Sequence, residues 1–360
     1  MRRTLLISLC FIFGFACSNS ESLKGSELDP SKSPNLASST LLETAPADGP
    51  EPDMRDVGTN TSIPTVDETE YWEASTLAIM PSHPYLECLN TVFDKFVNAL
   101  GVYVIATPEA PIDYVKHTAN VLAQFIDNDE DGQPDDPKVH RYLVEGNFVV
   151  PVWSEKDRDT FFAGARGTYC EDNVSFRASM YHDHDRWALG GISATGTWDT
   201  NLEEVWHVVS DGWYRMYPDY FGDAPGTSKL TGAMDVARGG RFDVVPDQYP
   251  EEAWYSYNDQ SCTYECQVHE YFYWALMANI GALDPALTNK CEDSADEWHV
   301  CTAEELRRTD PLVFDLLNNQ GFALPAMVPD GSYRAPGTVS YTHLRAHETV
   351  LDLVCRLLLE

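Results

Sequence analysis

The run Tyr271-Phe272-Tyr273-Trp274-Ala275-Leu276-Met277 constrains the fold more than any other stretch. Read as part of a helix from Cys262 to Ile280, it leaves almost no polar face, so that helix must be surrounded by protein on nearly every side. A chain of 360 residues, 43% of them hydrophobic, can build a core large enough to enclose it. Glu270 opens the run, with His269 before it. A carboxylate at the mouth of a buried helix needs a cation or strong donors to offset its desolvation. Arg238 and Arg241 are candidate partners, and a metal ion is a third.

A second segment supplies what such a metal would need. Read as a helix, residues 201–213 place Leu202, Val205, Trp206, Val209 and Trp213 on one apolar face. Glu203 and His207 are four apart and stack on another face, with Glu204 one step round from them. Two facing groups able to bind a metal, beside a free carboxylate, form the geometry of a hydrolytic metal site. The bland alternative is an acidic helix face with a hydrogen-bonded His. Asp199 and Thr200 are both candidate caps for this helix.

The spacing Glu203-Glu204-x-x-His207 resembles the zincin motif H-E-x-x-H with its first His replaced by Glu. The resemblance implies Glu203 and His207 as ligands and Glu204 as general base. A carboxylate in place of an imidazole cancels more of the metal charge, so bound water is acidified less. It also relaxes the preference for zinc over manganese or iron. The run from Glu270 to Ala275 resembles the downstream Glu helix of the lethal-factor-like gluzincins. That branch implies Glu270 as third ligand and an upstream Tyr, here Tyr264 or Tyr257, that binds the tetrahedral intermediate. The fold expected is α+β and zincin-like, a small sheet with helices over residues 68–337. The activity expected is peptide hydrolysis with Zn²⁺ or another divalent transition metal.

Residues 112–126 have helical spacing and run into Asp127-Asn128-Asp129-Glu130-Asp131-Gly132-Gln133-Pro134-Asp135. Carboxylates on alternate residues, with Gly132 freeing the turn, suit Ca²⁺. The expected ligands are Asp127, Asp129, Asp131, the Gln133 carbonyl and Asp135, in a loop over 127–138. It resembles EF-hand-like loops of the dockerin and thrombospondin kind, except that Lys138 stands where a bidentate Glu is usual. A solvated acidic turn is the alternative.

Shorter elements follow from local pattern. Residues 102–106, 147–153 and 176–181 read as strands. Helices are expected from Asp136-Pro137 to Val144 and from Leu230 to Ala237, the latter ending at Gly239-Gly240. Trp213, Tyr214, Tyr217, Tyr220 and Phe221 form an aromatic cluster expected in the core. His182 and His184 alternate with Asp183 and Asp185, a pattern that is either a metal-binding edge or a polar loop.

The ends point to export. Met1-Arg2-Arg3 and the apolar stretch to Ala16 form a leader too short to span a bilayer as a mature helix. Its close at Gly14-Phe15-Ala16-Cys17 resembles a bacterial lipoprotein signal, with Cys17 lipidated; an ordinary cleaved signal peptide is the alternative. Residues 17–67 are Ser-, Pro- and acid-rich and read as a flexible tether. Residues 338–360 resemble translated read-through of a sequencing adapter, so His343, His347 and Cys355 carry no weight. With Cys10 and Cys17 also set aside, six cysteines remain, an even count that in an exported chain argues for disulfides. Cys291–Cys301 is a natural local pair, Cys88–Cys170 would staple the early region, and Cys262 and Cys266 are left.

Fifty-seven acidic against 24 basic residues give a formal charge of −33, which argues against nucleic acid and against electrostatic adhesion to anionic lipid. Membrane attachment is expected only through the lipid anchor, and the substrate is expected to be a peptide or protein. The rival expectation is a non-enzymatic, calcium-stabilised surface lipoprotein that binds a partner.

Overall fold

In the computed structural model, residues 77–334 are described. The leader, the tether and the tail from 338 lie outside them. The strands are β1 (Ile79–Met80), β2 (Lys95–Ala99), β3 (Val102–Ala106), β4 (Phe148–Trp153), β5 (Ser175–Phe176) and β6 (Met180–Tyr181). The helices begin with α1 (Ile112–Ile126), α2 (Pro137–Glu145), α3 (Glu155–Ala165), α4 (Tyr169–Asn173) and α5 (Ile192–Thr195). They continue with α6 (Asn201–Met216), α7 (Pro218–Phe221), α8 (Lys229–Ala237) and α9 (Tyr264–Asn279). The last are α10 (Lys290–Asp293), α11 (Ala303–Thr309) and α12 (Pro311–Leu317). The fold is α+β, with a small open sheet.

The sheet runs β1-β2-β3-β4-β5, with β6 also paired to β4. β1, β2 and β3 are antiparallel, β3 and β4 parallel, and β5 and β6 both parallel to β4. Every residue of β3 and β4 is buried, as expected for β-branched strands covered on both faces. Their alternation divides two cores. Val102, Val104, Val150 and Val152 join the larger one, under the helices; Tyr103, Ile105, Val149 and Trp153 join a smaller one on the other face. The Cys88–Cys170 disulfide closes that smaller core.

The strand expected over 176–181 is two strands, interrupted at Arg177-Ala178-Ser179. Arg177 leaves the sheet to bind Asp211 of α6 at 2.7 Å, and the Ser179 N–H points to Glu204 at 3.4 Å. Bonds to α6 therefore replace pairing with β4.

Helix α6 packs against α1, α2 and α9. Its start is tied to α1. Asp199 accepts the Asn201 N–H at 3.1 Å, so of the two candidate caps Asp199 does the work. Its other oxygen meets His117 Nε2 at 2.5 Å, and Thr118 donates to the Asn201 side chain at 2.6 Å. All four residues are fully or nearly fully buried. Helix α9 is buried along almost its whole length, as its sequence requires, and starts at Thr263, whose hydroxyl accepts the Cys266 N–H. The aromatic cluster at the end of α6 and in α7 is core: Phe221 stacks on Phe272, and Trp213 on Tyr217. All three disulfides expected from the sequence are present: Cys88–Cys170, Cys262–Cys266 and Cys291–Cys301. No helix among the described residues is long and apolar enough to cross a membrane.

Candidate metal centre

Helices α6 and α9 bring Glu203, His207 and Glu270 together, with one donor atom from each inside a 4.8 Å span. His207 Nε2 lies 3.6 Å from Glu270 Oε1. That is too long for a good hydrogen bond. It is close to the separation, about 3.4 Å, of two donors roughly 2.1 Å from one tetrahedral ion. His207 Nε2 is buried with no hydrogen-bond partner among the described residues. A buried ring nitrogen in that condition beside two carboxylates is what a metal-binding imidazole looks like without its ion, so the donor set fits a divalent transition metal.

The electrostatics agree. Burial opposes a charge on His207, but Glu270, then Glu204 and Glu203, outweigh it and hold the ring up at about 9. A site that draws a proton this strongly without metal has a surplus of negative charge for a cation to neutralise. Glu204 stands outside the three-donor cluster. Burial first, then repulsion from Glu203, push it up to about 8, although His207 pulls the other way. Arg238 and Arg241 have partners of their own. Arg238 binds Asp235, Gln267 and the Phe242 carbonyl, and Arg241 binds Asp243.

The upstream tyrosines are engaged elsewhere. The Tyr264 hydroxyl donates to Asp235 at 2.9 Å, and Tyr257 is packed against the Cys262–Cys266 disulfide. The tyrosine beside the ligands is Tyr273, whose ring lies 5.7 Å from that of His207. Burial, then the Glu203 carboxylate, push its hydroxyl well above the tyrosine range. Sequence reading passed over Tyr273 because it sits in an apolar run. One signal was available: it is three residues after Glu270, on the same helix face.

Three more charged groups lie near the site; Lys290 and Glu297 carried no motif, and Asp185 belongs to the alternating His182–Asp185 pattern. Lys290 Nζ is 3.5 Å from Glu203 Oε2. Burial, then Glu270 and Glu203, raise Glu297 to about 8. Asp185 is raised to about 6, by burial and in smaller part by Glu203. It also accepts the Tyr181 N–H at 2.6 Å. The 182–185 stretch is thus a polar turn, where exposed His184 stacks on Tyr181.

The acidic loop forms a second cluster. Asp127, Asp129 and Asp135 each offer an oxygen inside the same span. Gly132 has φ +92°, the left-handed backbone the turn requires. Burial, then the neighbouring aspartates, raise Asp135 to about 6 despite a bond from the Asn128 N–H. Asp131 is not drawn in and instead accepts the Gln133 N–H at 2.8 Å. Asp127 accepts the Tyr333 hydroxyl as well as the Gly132 N–H, and the loop thereby holds the C-terminal segment.

Comparisons with protein-family models, curated proteins and solved structures returned no match. What fold and site define is an α+β protein with two candidate metal-binding clusters, one of His and Glu and one of Asp.

Proposed function

We propose that the protein is an exported metal-dependent hydrolase of zincin-like type, a peptidase. The observation that carries this is the convergence of Glu203, His207 and Glu270 from two helices, with a buried His207 nitrogen left for an ion. A zinc or similar ion bound there supplies Lewis acidity and a nucleophilic water. Glu203, His207 and Glu270 hold it. Glu204, beside them, would take the proton from the attacking water and return it to the leaving amine. Tyr273, beside His207, would steady the developing oxyanion, whereas the Tyr264 hydroxyl donates to Asp235. Three disulfides support export, where such bonds persist, and a lipid anchor at Cys17 is consistent with it.

Metal analysis of protein purified without chelators tests the reading. About one transition-metal ion per chain is expected, lost in His207→Ala and Glu270→Ala. Glu204→Gln is expected to keep the metal and lose peptide hydrolysis.

A second reading, favoured by the Asp127, Asp129 and Asp135 cluster, is a calcium-stabilised surface lipoprotein that binds a partner without chemistry. Protein that carries calcium and no transition metal would select it.

A further inference from the structure

Lys290 is held in an unusual place for a lysine. Its Nζ lies 5.2 Å from the Trp198 ring and 5.1 Å from the Trp274 ring, and 3.5 Å from Glu203 Oε2. Its side chain is only 20% exposed. Trp198 leads into α6, and Trp274 stands one turn beyond Glu270 on α9. The residue after Lys290 is fixed by the Cys291–Cys301 disulfide. The segment leading into α6 and helix α9 therefore each contribute one wall of an aromatic cage, and a disulfide anchors the third side. Two indole faces attract an ammonium ion without neutralising it. A surface ion pair has no such walls, and its ammonium would swing into water.

The cage matters because of the chemistry of the ligand set. Glu203 stands where an imidazole would leave the metal its full charge. Two carboxylates and one imidazole cancel both charges of a divalent ion, which weakens its pull on a bound water. Resting on the hydrolase reading above, we propose that Lys290 is a positioning residue that pairs with one oxygen of Glu203 and restores to the site the positive charge that this carboxylate removes. Glu203 and Lys290 together then act on the ion as a nearly neutral ligand. The same ammonium lies close enough to Glu297 to offset part of its charge.

The proposal predicts an effect opposite in sign to that of structural damage. A cation beside the ligands repels the metal, so removing it strengthens metal binding, whereas a loosened site binds metal less well. The full chain is titrated with Zn²⁺ against a competing chelator, as wild type, Lys290→Met, Lys290→Gln and Lys290→Arg. The two neutral variants are expected to bind Zn²⁺ tighter, on the order of tenfold. Lys290→Arg keeps both charge and ring stacking and is expected to stay near wild type. With Co²⁺ in place of Zn²⁺, the pH midpoint of the visible absorption change is expected to rise in the neutral variants, since a less electrophilic ion holds its water proton longer. The two neutral variants guard against one of them failing to fold. Equal or weaker Zn²⁺ binding in the folded neutral variants overturns the role of Lys290 and leaves the metal site standing. A wild-type chain that takes up no Zn²⁺ or Co²⁺ overturns both.

Discussion

His207 and Glu270 face each other at 3.6 Å from two helices, α6 and α9, that pack against one another. Without a metal, Glu270 is buried facing His207 and also repels Glu203 and Glu297 nearby. Glu270→Gln should therefore be neutral or mildly stabilising in chelator-treated protein. With Zn²⁺ present the order should reverse. Wild type gains about 2.7 kcal/mol at a metal concentration a hundred times Kd, and the variant gains little. Thermal unfolding with and without Zn²⁺ reads both signs, and a variant that keeps the full metal-dependent shift would remove Glu270 from the ligand set.

Glu297 gives a pH test of the same charge surplus. Burial, then Glu270 and Glu203, raise it from an ordinary 4.5 to about 8 in the metal-free protein. The folded state thus holds a proton that the unfolded state releases. The stability linked to this group is complete below about pH 4.5 and is lost as pH rises toward 8. Glu297→Gln in chelator-treated protein should match wild type near pH 4.5 and exceed it at pH 8. About 1–3 kcal/mol is expected, allowing for partial exposure. Denaturant unfolding at the two pH values decides, and a gain that is the same at both would show that repulsion is not the cause.

Buried histidines act in the opposite sense elsewhere. Burial lowers His140 to about 4, against a bond to the Leu100 carbonyl at 2.5 Å. Here the unfolded state binds the extra proton, so stability is complete above about pH 6.5 and falls as pH drops toward 4. The loss is on the order of 3 kcal/mol for a ring 2% exposed. His140→Gln should unfold with a flatter pH dependence between 6.5 and 4, even if it is less stable at neutral pH. An unchanged slope would assign the acid sensitivity to other groups.

Much of this was readable in the chain because the determining patterns are local. Helical spacing in 201–213 located α6, and the absence of a polar face located α9 and its burial. Glu203 and His207 were nameable from their four-residue spacing on one helix face, and Glu270 because a carboxylate at the mouth of an apolar helix has few explanations. What the sequence hid depends on contacts between distant segments. Nothing near Lys290 shows that Trp198 and Trp274 close around it. Tyr264 has the spacing of a catalytic tyrosine, yet Asp235 takes its hydroxyl, while Tyr273 was masked by its apolar neighbours. Residues 176–181 alternate like a strand, but Arg177 finds a better partner in buried Asp211 than in solvent at a sheet edge.

The disulfides should differ in worth because they close loops of different length. Cys88 and Cys170 are 82 residues apart, Cys262 and Cys266 only 4. On chain entropy alone the first constrains the unfolded state by about 4.5 kcal/mol and the second by about 2 kcal/mol. Cys88→Ala with Cys170→Ala should lower the denaturant midpoint more than Cys262→Ala with Cys266→Ala. Equal shifts would mean that local packing at α9, not loop closure, sets the contribution of the shorter bridge.

Residues 326–334 form a strap across α1 and the acidic loop, and Gly331 is its tightest point. Asn128 accepts the Ala326 and Met327 N–H groups, and Gln124 accepts those of Asp330 and Gly331. Tyr333 then donates to Asp127. Gly331 has φ +75°, and a methyl group on it would overlap the His117 ring. That ring cannot yield easily, because it is buried and bonded to Asp199 at the start of α6. Gly331→Ala therefore meets both backbone strain and overlap, and should cost about 2–4 kcal/mol. The strap has an outer route of relief: it can lift, which breaks the Tyr333 bond and exposes the 127–135 loop. Hydrogen exchange should show faster exchange at residues 326–334 and in the loop, with the α6 amides unchanged. Faster exchange within α6 would instead show that His117 gives way, and that the strap and the metal helix are coupled through that ring.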